Sequence, residues 1–393
     1  VTALRHAIGH VADWMKREQR PVDWPLQPGR AFLSPQPLGV VGIVSPWNYP
    51  IFLMMSPLAS ALAAGNRVML KPSELTPRTG ELLRKLIAGE FAEDHVAVLL
   101  GGPKVGEAFT KLPFDHLLFT GSTAVGRHVM RAASENLTPV TLELGGKSPA
   151  LIADDANLSS AAEDIVYGKL LNAGQTCIAP DYLLVSRSKV GALVQALKAA
   201  ATKYYPDGGS SPDYTGIIDD RHFDRLQNYV REAIEAGVSM EKLFEGGSGR
   251  RMSPVVLIDP PNGLHVMQEE IFGPVLPIIS VESMDAAVDY VNARPRPLVL
   301  YLFSKSRSVI DDVLRRTVSG GVCVNDTLVH VCVDGLPFGG VGASGMGSYH
   351  GKEGFETFSR NKPVFARRMP GLGRSLRPPY GKIHEWMRRI LIG

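Results

Sequence analysis

The chain has 393 residues, 45% of them hydrophobic and 21% charged, the profile of a globular protein too long for one ordinary core and expected to form two or three domains. Its net charge of +3 is uneven: residues 361–393 carry eight Lys/Arg against the single acid Glu385, so the remaining body is slightly acidic and nucleic acid is excluded as the main ligand. Three widely spaced cysteines exclude a disulfide framework and a zinc knuckle, no apolar run nears the roughly 18 residues of a membrane span, and no signal-peptide pattern is present, so a cytoplasmic protein without a metal site is expected.

The first residue, Val1, falls inside a helical pattern and is not Met, which opens the reading of a fragment. Leu4, Ile8, Val11 and Trp14 share one helical face over 4–18. A proline-rich stretch around Pro21, Pro25 and Pro28 precedes the apolar run 37–45. An alternation follows. Strands are predicted at 39–45, 67–71, 95–100, 116–119 and 139–144, and helices at 55–64, 77–91 and 124–135. Apolar strands alternating with helices imply parallel βαβ units in a doubly wound sheet, which binds ligands at the carboxyl ends of its strands. A second α/β series starts near 149, with a helix over 158–172 and further elements through 284–292. The fold class is therefore α/β: a doubly wound parallel-sheet domain over 1–145, a second α/β domain over 146–340, and a C-terminal segment, 341–393, with the basic tail. In that tail Ile383, Trp386, Met387, Ile390 and Leu391 fall on one helical face and Arg388 and Arg389 on another, a pattern suited to weak contact with an anionic membrane or to docking on the protein itself.

Five segments carry candidate chemistry. Cys177 follows a predicted helix and a glycine in Leu171–Cys177. A cysteine is nucleophilic as thiolate in a polar, accessible setting, and is otherwise a small core residue; Cys323 and Cys332, in valine-rich runs, read as core. Glu143 ends a strand directly before Gly145-Gly146 in Thr141–Lys147. A carboxylate there fits a cleft at the sheet mouth, with glycines admitting a planar ligand, or a plain surface turn. Asn48, in Ser45–Pro50, offers an amide donor for an oxyanion, though Asn is also an ordinary turn residue. Gly121 and Ser122 lie between a strand and a helix and form a weak phosphate cradle. Lys71 and Glu74 after the second strand fit a ribose as donor and acceptor, or form a solvated ion pair.

Seven segments occur together in one order: Pro46–Pro50, Lys71–Glu74, Phe119–Ser122, Leu142–Lys147, Gly174–Cys177, Glu269–Pro274 and Pro337–Gly340. On these the chain resembles the aldehyde dehydrogenase superfamily from about residue 35 to 360. Ala179–Asp181, Arg294–Pro297 and Gly345–Gly351 are most similar to the coniferyl-aldehyde dehydrogenase branch. The resemblance implies Cys177 as nucleophile, Asn48 with the Cys177 N–H as oxyanion hole, and Glu143 as general base. It implies Trp47, Lys71, Glu74, Gly121 and Ser122 around the adenosine and pyrophosphate end of NAD, and Glu270 and Phe272 at its nicotinamide end; NADP stays open, although Glu74 would repel a 2′-phosphate. The substrate would be an apolar aldehyde, aromatic or medium- to long-chain, coniferyl aldehyde among them, with Leu170, Leu171 and Ile178 either lining its pocket or filling the core. Residues 19–37 would form a hairpin pairing with a second subunit in a homodimer. Family members carry several tens of further residues before the helix at 4–18, so an inactive, N-terminally short remnant acting as a subunit or binding protein stands as the alternative. A cysteine hydrolase would need a histidine base, and no histidine lies in these motifs; a coenzyme A-acylating relative would lack Glu143.

Overall fold

The computed structural model describes residues 2–367 and 378–392. Among these, three sheets organise the chain. The first has six strands in the order Gly345–Met346, Val140–Leu144, His116–Gly121, Val40–Val44, Arg67–Lys71 and Val96–Val98. All pairings are parallel except that of Gly345–Met346 with Val140–Leu144. Its inner strands are continuous apolar runs because helices lie on the sheet: Val41, Ile43, Leu70, Leu117 and Leu118 are fully buried. From Val40–Val44 the chain builds outward through Arg67–Lys71 and Val96–Val98. It then returns to lay His116–Gly121 on the other side of Val40–Val44. That reversal opens a crevice at the carboxyl ends of the two strands.

The second sheet has seven strands in the order Ser239–Lys242, Val255–Ile258, Val275–Val281, Tyr182–Ser186, Pro149–Ile152, Val299–Phe303 and Gly321–Val324. Only the polar edge strand Ser239–Lys242 runs antiparallel to its neighbour. Helices Leu158–Leu170, Val190–Tyr204 and Asp220–Glu235 bury Ile165, Leu197 and Leu226 in the same apolar cluster as Val41 and Ile43 of the first sheet, so one core runs beneath both sheets.

The third sheet is an exposed arm. Glu18–Arg20 pairs antiparallel with Gly29–Pro37, as the predicted hairpin requires, but Gly29–Pro37 also pairs over its whole length with Ser359–Arg367 of the same chain. The arm's long strand therefore finds its partner within the chain. Two further expectations change. The helix expected over 158–172 stops at Leu170, because Asn172, Ala173 and Gly174 all turn to positive φ (52°, 52° and 77°). Cys323 is buried as expected, but Cys332 is exposed at the end of the short turn Val329–Cys332. The C-terminal residues Lys382–Ile392 form a helix with Trp386 and Ile390 exposed. The side chains of Ile383, Met387 and Leu391, and the tail residues Arg368, Arg374 and Arg377, lie outside the described residues. No helix among the described residues is long and apolar enough to cross a membrane.

Candidate active site

A cavity of about 920 Å³ lies where the first two sheets meet, lined by Trp47, Asn48, Gly121, Ser122, Glu143, Cys177, Glu270 and Phe272. Eight of the ten residues singled out in the sequence thus share one space. Lys71 and Glu74 do not line it. Lys71 is buried at the end of its strand, its ammonium donating to Pro72 O at 2.9 Å and to Glu74 at 3.3 Å. The pair stands beside the cavity, next to the Val40–Val44 strand end.

The cysteine loop is held by a small amide network. Asn172 donates to Asn48 O (3.1 Å) and Gln175 O (3.2 Å), and Asn48 Nδ2 donates to Gln175 O at 3.1 Å. The Gln175 amide donates to Asn172 O and Gly216 O and accepts from the Ile218 N–H. Three consecutive positive-φ residues feed this loop, two of them non-glycine, a conformation that costs of order 1–3 kcal/mol per residue and persists only when surroundings fix it. A Cβ on Gly174 would sit 2.4 Å from Gly273 O, so a side chain is excluded there. The loop ties Asn48 of the first sheet to Cys177 of the second.

Glu143 is 2% exposed, and neither carboxylate oxygen has a hydrogen-bond partner among the described residues. Burial pushes its pKa well above the usual carboxylate range. Burial also raises the Cys177 thiol to about 12, with the charges of Glu270 and Glu143 adding to it. Glu270 rises to about 8, first through burial and then through Asp181. The Glu270 carboxylate packs on Gly145, where a Cβ would lie 1.8 Å from Oε2. Gly145, one of the two glycines expected to admit a planar ligand, makes room for this carboxylate.

The Glu270 segment is pinned from beneath. Lys147 pairs with Asp181 and donates to Val266 O (2.8 Å) and Glu269 O (2.9 Å); Asp181 accepts from the Ile271 N–H at 2.9 Å; Arg225 donates to Ile271 O at 2.8 Å. Phe272 has φ 50° and meets Trp47 edge-on at 5.4 Å, joining the two cavity walls. Ser122 caps the helix Thr123–Ser134 by accepting from Val125 N (3.4 Å), at a mouth where the first-turn N–H groups favour an anion. Leu170 and Ile178 belong to the core rather than the cavity; its apolar wall comes from Leu53, Phe272, Leu298 and Phe338. Lys147, Asp181, Arg225, Asn172 and Gln175 were not assigned roles from sequence. Lys147 and Asp181 pair with each other, and all five bind backbone carbonyls or amides, which leave no mark in a string of residue types.

Fold and cavity together define the class: an α/β protein in which a doubly wound sheet and a second sheet close on a cysteine and two buried carboxyls. The aldehyde dehydrogenase family model matches residues 1–364. The chain is 54% identical to the probable coniferyl aldehyde dehydrogenase of Pseudomonas aeruginosa, over 96% of this chain and 80% of that protein. Its structure aligns with substrate-bound AldH of Staphylococcus aureus at a TM-score of 0.93 and 39% identity, covering 99% of this chain and 85% of the other. It also aligns with a Mycobacterium tuberculosis aldehyde dehydrogenase complexed with NAD+ at a TM-score of 0.83 and 32% identity, covering 94% and 77%. The chain belongs to the aldehyde dehydrogenase family.

Proposed function

We propose that this chain oxidises an apolar aldehyde, aromatic or medium- to long-chain, to its carboxylic acid with NAD, through a thioester on Cys177. The observation that carries the reading is the joining of Cys177, Asn48 and the orphaned Glu143 carboxyl in one cavity of a family member. A thiol raised to about 12 needs a base, and Glu143, whose proton affinity is itself raised, is matched to that task better than an ordinary carboxylate. The thiol proton passes to Glu143 as sulfur bonds to the carbonyl carbon. Asn48 gives one amide hydrogen to Gln175 O and keeps the other, with the Cys177 N–H, for the oxygen that becomes negative. A nicotinamide dinucleotide, when bound, supplies the acceptor for the hydrogen and electron pair leaving the aldehyde carbon. The Glu270 carboxyl, whose Oε1 is buried without a partner among the described residues, the Phe272–Trp47 contact and the Ser122 helix end suit such a group: Glu270 for the nicotinamide ribose, Phe272 for the ring, Trp47, Gly121 and Ser122 for the pyrophosphate, Lys71 and Glu74 for the adenosine ribose. Glu143 passes that proton to solvent and then takes one from a water whose oxygen attacks the thioester; the C–S bond breaks, the sulfur leaves as thiolate and takes the proton back from Glu143, and the acid departs.

The apolar wall of Leu53, Leu298 and Phe338 favours coniferyl-like aromatic aldehydes over small polar ones. Reduced-cofactor formation with a panel of aldehydes and with both NAD and NADP tests the reading. Turnover is expected to rise with apolar size and to be greater with NAD, since Glu74 opposes a 2′-phosphate; no turnover with any aldehyde would overturn it. The exposed arm, with Trp24, Leu26 and Phe365 at its surface, is the surface for a homodimer. The basic C-terminal helix gives at most weak contact with anionic lipid, and equal pelleting with anionic liposomes by the full chain and one ending at Phe365 would remove that contact.

A further inference from the structure

No step of the proposed reaction uses the segment Arg294–Pro297, yet Arg294, Pro295 and Arg296 all line the cavity. The two arginines have opposite fates. Arg294 is committed to its neighbours: its guanidinium stacks on the Tyr290 ring at 3.3 Å and donates to Tyr290 O at 2.9 Å and to Asn262 Oδ1 at 2.6 Å. Arg296 is exposed and makes no hydrogen bond or ion pair among the described residues. It stands between two prolines, which narrow its backbone freedom. Pro297 is buried close to Gly146, where a Cβ would lie 3.6 Å from Pro297 Cα, so the root of the Arg296 side chain is fixed. Arg127 is the matching group on the other wall. It lies one turn into the helix Thr123–Ser134, lines the same cavity, is exposed, and is likewise unpaired among the described residues. Arg225, also in the lining, is committed to Tyr229, Glu270 O and Ile271 O. The turn Gly342–Ala343 joins the two walls at this point: Thr123 donates to Ala343 O at 3.2 Å, and Arg296 Cδ is 3.8 Å from the place a Cβ on Gly342 would take. One uncommitted guanidinium from each sheet thus reaches the cavity near Ser122.

The acids of the cavity do not answer these cations. Glu143 is buried, Glu269 accepts from Tyr229, and Glu270 packs on Gly145. A guanidinium keeps its charge at every working pH and presents planar donors that take phosphate oxygens in pairs. We propose that Arg127 and Arg296 bind the pyrophosphate of the dinucleotide, one from each sheet, so that the bound cofactor ties the two sheets together across the cavity. The inference rests on the reading that the Ser122 helix end faces the pyrophosphate. It adds to that helix end two full positive charges, against an anion that NAD and NADP have in common.

The test is a set of binding titrations on the full chain with Arg127→Gln, Arg296→Gln, the double variant and Arg131→Gln. Arg131 lies one turn further along the same helix, outside the cavity lining, and controls for the loss of a positive charge. NADH and NADPH are followed by fluorescence, and ADP-ribose, which carries the pyrophosphate without the nicotinamide, by calorimetry. Each single variant should weaken all three ligands about tenfold, the range of an accessible hydrogen bond to a charged group, and the double variant should lose more than either. The fall of affinity with added salt should become shallower. Melting temperatures without ligand should stay as in the parent, while the rise on adding ADP-ribose shrinks in the double variant. Arg296→Lys should recover part of the loss, since an ammonium keeps the charge but not the paired donors. Parent-like affinity for ADP-ribose in both Gln variants would overturn the inference and leave the cofactor site standing. A loss confined to NADPH would place the arginines at the 2′-phosphate, and an equal loss in Arg131→Gln would assign the effect to the general field; either overturns the clamp. Failure of the parent chain to bind NADH or ADP-ribose would remove the pyrophosphate reading itself.

Discussion

The two large sheets meet the cavity in opposite senses. The first presents the carboxyl ends of its strands: Trp47 and Asn48 follow Val40–Val44, Ser122 follows His116–Gly121, and Glu143 ends Val140–Leu144. The second presents the amino ends: Cys177 precedes Tyr182–Ser186, Glu270 and Phe272 precede Val275–Val281, and Arg294, Pro295 and Arg296 precede Val299–Phe303. The loops differ in kind as well. Residues 46–53, 120–127 and 143–147 of the first sheet contain no positive φ, whereas Asn172, Ala173, Gly174 and Phe272 of the second all do. The lesson is a division of labour. Strand-to-helix turns and strand ends in ordinary conformations give the helix end at Ser122, the Asn48 amide and the Glu143 carboxyl. Loops held in costly conformations by ion pairs and amide networks aim Cys177 on one side and the Glu270–Phe272 segment on the other.

If that division is real, Cys177→Ser should give the largest effect, loss of turnover to background with cofactor affinity nearly unchanged, because a serine hydroxyl is far less ionised near neutral pH. Steady-state rates and a fluorescence titration with reduced cofactor separate the two, and a large fall in affinity would mean that the thiol itself takes part in binding. Asn48→Ala comes next, with a loss of about 10²–10³ in kcat and little change in KM. A smaller loss would remove Asn48 from the oxyanion site. The glycine pair Gly174→Ala and Gly126→Ala compares the loops directly. The new Cβ meets backbone, Gly273 O at 2.4 Å, in the first case, but the movable tip of Leu144 at 2.6 Å in the second. Gly174→Ala should lower the melting temperature and the activity more; equal melting curves would deny the contrast. The smallest effect is expected from Glu270→Gln on alkylation of the Cys177 thiol by iodoacetamide. Glu270 titrates near about 8 and its negative charge opposes thiolate formation, so the variant should react faster than the parent above that pH and at the same rate well below it. A rate advantage at every pH would assign the effect to access rather than charge.

Much of the first sheet is legible in the residues, since Val40–Val44, Arg67–Lys71, Val96–Val98 and His116–Gly121 are short apolar runs each followed by a helix, and its site residues sit at strand ends where a doubly wound sheet must place them. Of the second sheet's contribution, Cys177 was a candidate from its own surroundings, whereas Glu270 and Phe272 were legible only by resemblance. Nothing in the spacing of Cys177 or Glu270 says that the loops before strands, not after them, would face the ligand. Ser359–Arg367 has no apolar alternation and contains Pro363; it is a strand because Gly29–Pro37 lies alongside, a partner remote in sequence. Ser239–Lys242 is polar and exposed at a sheet edge and carries little strand signal. Gly145 shows the limit at single-residue scale: that a glycine is needed was readable, but that a carboxylate 125 residues later takes the space was not.

The arm also dictates an order of events during synthesis. Arg367 donates to Leu26 O across 341 residues, beside the register that joins Gly29–Pro37 to Ser359–Arg367. A chain made from its amino end exposes Gly29–Pro37 early, with one edge unpaired until the far segment leaves the ribosome. Through that interval both α/β sheets can close, while the waiting edge is open to any other strand, including the same segment of a neighbouring nascent chain. Chaperone dependence and strand exchange should therefore concentrate in this short stretch, and the wait should grow with every slowing of translation between the two halves of the arm.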